Sequence, residues 1–320
     1  MKCGCEKLLQ AIDAYIQKAD DDLEEALSDA GFIDTGDTVD EISHMEGRVA
    51  RALKRQTGYI TDAAEAAVDL KTFAEEIWPD VKMNDDLSEK LATIFLEELT
   101  TYLPELATHY SAIIDPDIVV SQITKRTTAF VEGWSKELGD IMKLNSHEEI
   151  ESILTTGLKE GQSVAEFTQA ILDSGIRDEY YKARRVSVTE TLRAHSYAQQ
   201  EAIMQSPAAE SKEWVHTGSH MNEPRQNHVD MNGTVVPKDE PFELVGADGA
   251  TYYPMFPRDS ILPPGESVNC HCIHRAIVSE EVLGLPIEER RRLQAEAIEE
   301  DDGAWEAELD AKNRAKAGIE

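Results

Sequence analysis

The chain has 320 residues, which is long enough to bury at least one sizeable hydrophobic core. It has 63 acidic and 31 basic residues, and the net charge of −32 disfavours a broad surface that tracks nucleic-acid phosphates. No run of 18 apolar residues is present, which argues against a membrane-spanning helix. The N-terminal segment lacks an apolar signal core, which argues against secretion.

The first 205 residues are predicted to form a helical body, because apolar residues recur there at spacings of three and four. We expect one helix over 6–29 and a second from about residue 38 to 78. Pro79 would stop the second helix, because proline lacks a backbone donor and clashes with the preceding turn. A third helix fits 86–109.

Three further helix starts are indicated by their capping residues. Asp115-Pro116 combines a cap with a proline at the first helical position. The segments 146–149 and 163–166 have the spacing of a capping box. We predict two short helices there, followed by a longer helix over about 178–205.

The last of these helices contains Thr189-Glu190-Thr191 and Arg193. Glu190 and Arg193 are three residues apart, so they can pair along the helix. The alternative is a polar clamp that holds the helix against the unit that follows.

Residues 206–278 are predicted to form a small, loop-rich unit with three or four strands. Segments 212–217, 234–236 and 272–278 contain β-branched and aromatic residues typical of short strands. Prolines between these segments prevent a broad regular sheet.

Residues 279–320 are predicted to form an acidic helical tail with 13 acidic and six basic residues. The like-charge run 299–302 is typical of a solvated segment. In contrast, Leu293, Ala297, Trp305 and Leu309 indicate that part of the tail docks on another surface.

The small unit contains a set of residues in a fixed order. These are Trp214, Glu223, Arg225, His228, Gly233, Pro241, Phe242, Pro264, Asn269, Cys270 and Cys272. The set resembles the phage Mu F-type head morphogenesis family, the minor head proteins of tailed viruses. Two positions depart from the family pattern: Glu223 stands where aspartate is usual, and His271 replaces an arginine between the two cysteines.

This resemblance implies an α+β protein that is predominantly α-helical. It also implies a non-enzymatic minor capsid protein that acts in head morphogenesis at the portal vertex. The expected partners are the portal protein and other head proteins, with packaged double-stranded DNA nearby and with neither a membrane nor a small-molecule substrate involved. The expected location is inside the virion head, after assembly in the host cytoplasm.

The candidate metal ligands are His228, Cys270 and Cys272, with His274, His216 or His220 as the fourth ligand. Structural zinc takes four nitrogen or sulfur ligands in a tetrahedron, and Cys-x-Cys is a less usual spacing for it.

The alternative to a zinc site is a metal-free polar cluster without any cofactor. In that cluster Arg225 donates to loop carbonyls, His228 bonds to the backbone, and the two thiols pack as small apolar groups.

Other functional hypotheses remain beside a structural head protein. One is a zinc-stapled module that contacts packaged DNA. Another is a metal-dependent nuclease of the ββα type, which is disfavoured because such enzymes need a helix directly after the histidine-bearing hairpin. A thiol hydrolase is also disfavoured, because its cysteine prefers a helix N-terminus and these cysteines enter a predicted strand.

Overall fold

The computed structural model describes residues 19–120, 122–217 and 224–300. Within them the chain is predominantly α-helical with two small antiparallel sheets, which confirms the predicted α+β class. None of the helices in these three ranges combines the length and the apolarity that crossing a membrane requires. Most of the predicted helix 6–29 and the tail beyond residue 300 lie outside the described residues.

The helices and strands follow one another from the N-terminal to the C-terminal described residue. They are α1 (described over 19–29), α2 (Thr35–Glu65), α3 (Leu70–Thr72), a π-helical turn (Phe73–Ile77), α4 (Trp78–Asn84), α5 (Leu87–Ile114), α6 (Lys125–Glu160), α7 (Val164–Gln205), β1 (Ala209–Val215), α8 (Gln226–Asp230), β2 (Val235–Pro237), β3 (Leu244–Val245), β4 (Thr251–Tyr252), α9 (Pro264–Ser267), β5 (Ile273–Val278), α10 (Glu280–Leu283) and α11 (Ile287–Glu300).

Pro79 is the second residue of α4 rather than the end of a helix, so the predicted helix from 38 to 78 is wrong at its C-terminal end. The long helix α2 stops at Glu65, and Pro79 lies in the first turn of α4. The first turn tolerates proline because its backbone N–H groups have no partner within the helix. Pro104 lies inside α5, and that helix continues past it.

The predicted helix start at Asp115-Pro116 is also wrong. The Asp115 carboxylate accepts the Asp117 N–H at 3.1 Å and forms a local turn, and α6 begins only at Lys125. No new helix begins at Ser146, which lies inside α6, and its hydroxyl donates to Gln56 Oε1 at 2.6 Å rather than capping the backbone.

The capping box at Ser163 forms as predicted at the start of α7. The Ser163 N–H donates to Glu166 Oε2 at 2.8 Å, and the Glu166 N–H donates to Ser163 Oγ at 3.3 Å. The helix then continues without a break to Gln205 instead of dividing into two. No proline interrupts it, so each backbone donor can keep its helical acceptor.

The chain's contacts divide the described residues into two compact units. Unit 1 contains the described parts of Met1–Ile42, Tyr102–Thr127 and Thr189–Glu320, and unit 2 contains Ser43–Thr101 and Thr128–Val188. The three-part division at residues 205 and 278 stays a prediction.

Unit 2 is helical and contains two apolar clusters. The first consists of the buried residues Met45, Val49, Ala50, Leu53, Leu87, Leu91, Ile94, Phe95, Leu138 and Ala183. The second consists of Ile60, Ala64, Leu70, Phe73, Trp78, Val81, Ile150, Leu154, Phe167 and Ile171.

Unit 1 contains both sheets. The three-stranded sheet has the order β2-β1-β5 and is antiparallel, with Trp214 paired to His274. Its strands confirm the three predicted ones to within a few residues. The two-stranded sheet β3-β4 was not predicted, because strands of two residues are too short to show an alternating pattern.

Candidate functional site

Cys270 and Cys272 lie side by side in the loop between α9 and β5. Asn269 precedes them in a left-handed conformation with φ of +56°, which asparagine tolerates better than most residues. Each cysteine is only 3% exposed, and both thiols are free. The loop therefore holds two reduced sulfur atoms inside the protein.

His228 on α8 faces both sulfur atoms. Its Nδ1 lies 3.5 Å from Cys270 Sγ and 3.6 Å from Cys272 Sγ. Its Nε2 lies 2.9 Å from Glu266 Oε2. The Glu266 carboxylate also accepts the Ala247 N–H at 2.8 Å and the Asn227 amide at 3.0 Å. Glu266 therefore orients the imidazole so that Nδ1 points at the thiols.

Trp214 on β1 forms one wall of this site. The indole is fully buried and makes edge-to-face contacts with His228 at 5.7 Å and with Phe242 at 5.3 Å between ring centroids. Gly233 has φ of +82°, and its N–H donates to the Trp214 carbonyl at 2.9 Å. A β-carbon at that φ would be strained, so glycine is needed where this turn returns to β1.

His216 and His274 have different surroundings. The half-buried His216 follows β1, and its Nδ1 lies 3.4 Å from Cys272 Sγ. The fully buried His274 stacks on Phe256 with centroids 5.7 Å apart, and neither of its ring nitrogens has a hydrogen-bond partner among the described residues. The structure thus brings His216, and not His274, to the cysteines.

Two other residues singled out from the sequence lie outside the described residues. These are Glu223 and His220.

Arg258 is the residue that ties the cysteine loop to α7. Its Nη1 donates to the carbonyls of Cys270 and Cys272 at 2.7 Å each. Its Nε donates to the Leu192 carbonyl at 3.0 Å, and its Nη2 donates to Ser196 Oγ at 2.7 Å. The side chain is buried, and its guanidinium lies 5.3 Å from the centre of the Phe32 ring.

The metal-free cluster proposed from the sequence gave this carbonyl-binding role to Arg225. Arg225 Nη2 donates to the Val268 carbonyl at 2.6 Å, so it does bind the same loop. However, Arg258 contacts the two cysteine carbonyls. His228 in turn bonds to the side chain of Glu266 rather than to backbone.

The structure shows both the pair between Glu190 and Arg193 along the helix and the polar clamp. Arg193 Nε donates to Glu190 Oε2 at 3.0 Å along the helix. Arg193 Nη1 donates to the Arg258 carbonyl, which clamps α7 to the following unit. All three residues are buried, so the pairing takes place away from water.

The electrostatics of the site favour one thiolate. The pKa of Cys270 lies well below its ordinary value, because Cys272 donates a hydrogen bond to it and because His228 and Arg258 add positive charge. The pKa of Cys272 is raised, because its proton is shared with Cys270 and the site is buried.

The pKa values of the two histidines at the site are shifted in opposite directions. Burial opposes charge on His228, but hydrogen bonds to Cys270 and Glu266 outweigh it and raise the pKa. Burial lowers the pKa of His216.

Sequence reasoning missed the roles of Arg258 and Glu266. Arg258 stands in Pro254-Met255-Phe256-Pro257-Arg258-Asp259, and a charged pair directly after two prolines and two large apolar residues is a usable signal for a buried arginine. Glu266 stands in the Pro-Pro-Gly-Glu turn, where it is the only ionisable side chain.

Helix α7 and the cysteine loop both lie within a stretch of the chain that matches a known family of phage proteins. Residues 148–275 match the family described as phage Mu protein F like protein. The chain belongs to this family, which indicates a protein of phage head morphogenesis and a virion location.

One relative of this chain is the uncharacterized protein YqbB of Bacillus subtilis (strain 168). It is 33% identical over 301 residues, which cover 92% of this chain and 97% of YqbB. No solved structure matches this chain significantly.

Proposed function

We propose that this protein is a minor head protein that acts at the portal vertex, inside the head, as a structural anchor. The observation that supports this role is the buried arginine cluster. Arg258 and Arg193 join α7 to the cysteine loop through hydrogen bonds that are sheltered from water. Such a cluster gives rigidity, which an anchor in a pressurised head needs.

The burial of the site also supports a non-enzymatic role. A thiol nucleophile must reach its substrate, and Cys270 and Cys272 are each 3% exposed. The reactive groups of the site face one another and the Glu266 carboxylate rather than an open surface.

The charge of the chain bears on the proposed partners. With a net charge of −32, the protein repels DNA phosphates at ordinary salt concentrations. The portal and other head proteins are therefore the proposed binding partners, and packaged DNA is a neighbour rather than a ligand. This charge also disfavours the alternative of a zinc module that contacts the genome.

The test is the stoichiometry and position of the protein in intact particles. Quantitative mass spectrometry of purified heads should give a small, fixed ratio of this protein to the portal protein. Labelling of a C-terminal epitope should place it at one vertex. A copy number that follows the major capsid protein, or absence from purified heads, would overturn the proposal.

A second measurement distinguishes a head protein that binds the portal from a module that binds DNA. Purified full-length protein should bind purified portal protein and leave double-stranded DNA unretarded on a gel at low salt. Retardation of DNA, lost as salt rises, would instead favour the DNA-contacting module.

A further inference from the structure

We propose that His216, His228, Cys270 and Cys272 bind one Zn²⁺ ion that staples the small unit of this chain. The ligand atoms are the two sulfurs and the Nδ1 atoms of both histidines. This inference rests on the geometry of the site and not on the proposed role at the portal. It differs from the ligand set with His274, whose ring lies against Phe256.

Three of the distances between donor atoms fit a tetrahedral site. Zinc lies about 2.3 Å from sulfur and about 2.0–2.1 Å from nitrogen, so neighbouring S and N ligands stand about 3.5–3.6 Å apart. His228 Nδ1 lies 3.5 and 3.6 Å from the two sulfurs, and His216 Nδ1 lies 3.4 Å from Cys272 Sγ. The donor atoms of His228, Cys270 and Cys272 all lie within 4.8 Å of one another, and His216 stands outside this group and meets it at Cys272 Sγ.

The residues around the ligands hold them in place for metal binding. Zinc-bound histidines usually donate their other ring N–H to a carboxylate, which fixes the ring. Here Glu266 Oε2 lies 2.9 Å from His228 Nε2, so Nδ1 is directed at the sulfurs. Asn232 Oδ1 accepts the backbone N–H of His216 at 2.9 Å and positions the backbone of the second histidine.

Arg258 orients the two cysteines through their carbonyls. The same Nη1 donates to Cys270 O and Cys272 O, each at 2.7 Å, and these two hydrogen bonds hold the Cys-x-Cys backbone in a curved conformation. The curved backbone compensates for the unusual Cys-x-Cys spacing, because it brings both sulfur atoms to the side that faces His228 Nδ1.

Charge balance also suits a bound zinc ion. In the bound state both cysteines are thiolates and both imidazoles are neutral, so the two negative charges balance the charge of one Zn²⁺. The zinc site with its four ligands is then neutral, which suits a buried position. Four protein ligands leave no open coordination position, so the ion is structural rather than catalytic.

The bound zinc ion would link three separate parts of the small unit, residues 206–278. His216 follows β1, His228 lies on α8, and the cysteines precede β5. These parts are otherwise joined by short strands and loops, and structural zinc contributes directly to folding in units of that kind.

Metal analysis of the reduced full-length protein is the first test. We expect one Zn²⁺ per chain, which a chelator removes and added zinc restores. Co²⁺ added in place of zinc should give the thiolate-to-cobalt charge-transfer band and the strong visible bands of a tetrahedral site.

Variants assign the ligands. Cys270→Ser should weaken the charge-transfer band, and His216→Ala should lower zinc affinity by about tenfold or more while the protein stays folded. The control is the double variant Cys3→Ser and Cys5→Ser, which removes the two cysteines outside the proposed site and should keep full binding. Absence of a charge-transfer band in the folded wild type, loss of the band in the control, or unchanged affinity in His216→Ala would each overturn the proposal.

Discussion

At the scale of single residues, the hydrogen bonds of Arg258 depend on the planar shape of its guanidinium and not on its charge alone. Its planar guanidinium serves the Leu192, Cys270 and Cys272 carbonyls and the Ser196 hydroxyl. Lysine keeps the charge but has no planar fork. Arg258→Lys should therefore cost about 3 kcal/mol or more, because at least two buried acceptors lose their donor at about 1–3 kcal/mol each.

Denaturant unfolding of Arg258→Lys, Arg258→Met and Arg275→Lys measures this effect. Arg275 is the matched control, because it pairs with Glu213 on the sheet surface and is largely exposed. Equal stability of Arg258→Lys and the wild type would show that only charge matters at this position.

The buried side chain of His195 should make the stability of unit 1 depend on pH. Burial, with a smaller effect of the Arg258 charge, lowers its pKa to about 3. The neutral ring bonds to Thr38 at 2.9 Å and to Tyr110 at 3.0 Å. The unfolded state binds the extra proton below about pH 6.5, so stability is full above that pH and falls as pH drops toward 3.

Each pH unit across that window should remove up to about 1.4 kcal/mol of unfolding free energy through this residue. The measurement is urea unfolding of wild type and His195→Gln from pH 7 to pH 4. The variant should lose less stability on acidification than the wild type. The same pH slope in both proteins would contradict the prediction.

At the scale of elements, α11 docks onto the connection between α5 and α6. Arg290 bonds to Asp115 and, at 2.8 Å, to Asp117, and Gln294 donates to the Val119 carbonyl at 3.0 Å. This part of the acidic tail is therefore packed rather than solvated. Trp305 and Leu309, on which the docking hypothesis also depended, lie outside the described residues.

Arg290→Ala should release α11 from this connection. Amide hydrogen exchange across 287–300 should rise, because the helix loses its buried anchor. The matched control is Arg292→Ala on the same helix, whose side chain is exposed and pairs with Glu289 and Glu296. Equal exchange in the two variants would show that Arg290 does not hold the helix.

At the scale of the whole molecule, each of the two units has its own apolar core. Trp214 is fully buried in the cluster with Met231, Phe242, Leu244 and Leu262 in unit 1. Trp214→Ala should cost about 3–5 kcal/mol, as is usual for a buried aromatic residue. Hydrogen exchange should rise across 209–278, whereas the slowest amides of unit 2 should keep their protection. A uniform rise in both units would show that they unfold together.

The sequence by itself determined the class of the protein and the position of its site. Apolar periodicity reports local burial, so it found most helices and the three main strands. The resemblance to the phage Mu F-type family, carried by an ordered set of residues from Trp214 to Cys272, placed His228, Cys270 and Cys272 in one motif.

Only the tertiary structure decided which partners these residues have. Arg258 rather than Arg225 binds the cysteine carbonyls, and His216 rather than His274 approaches the thiols. Helix α6 starts at Lys125, where Thr124 Oγ1 accepts the Thr127 N–H at 3.4 Å, and the Asp115 carboxylate bonds instead to Asp117 and Arg290. In each case several side chains near in sequence had suitable chemistry, and the selection depended on contacts between residues far apart in the chain, which no local pattern records.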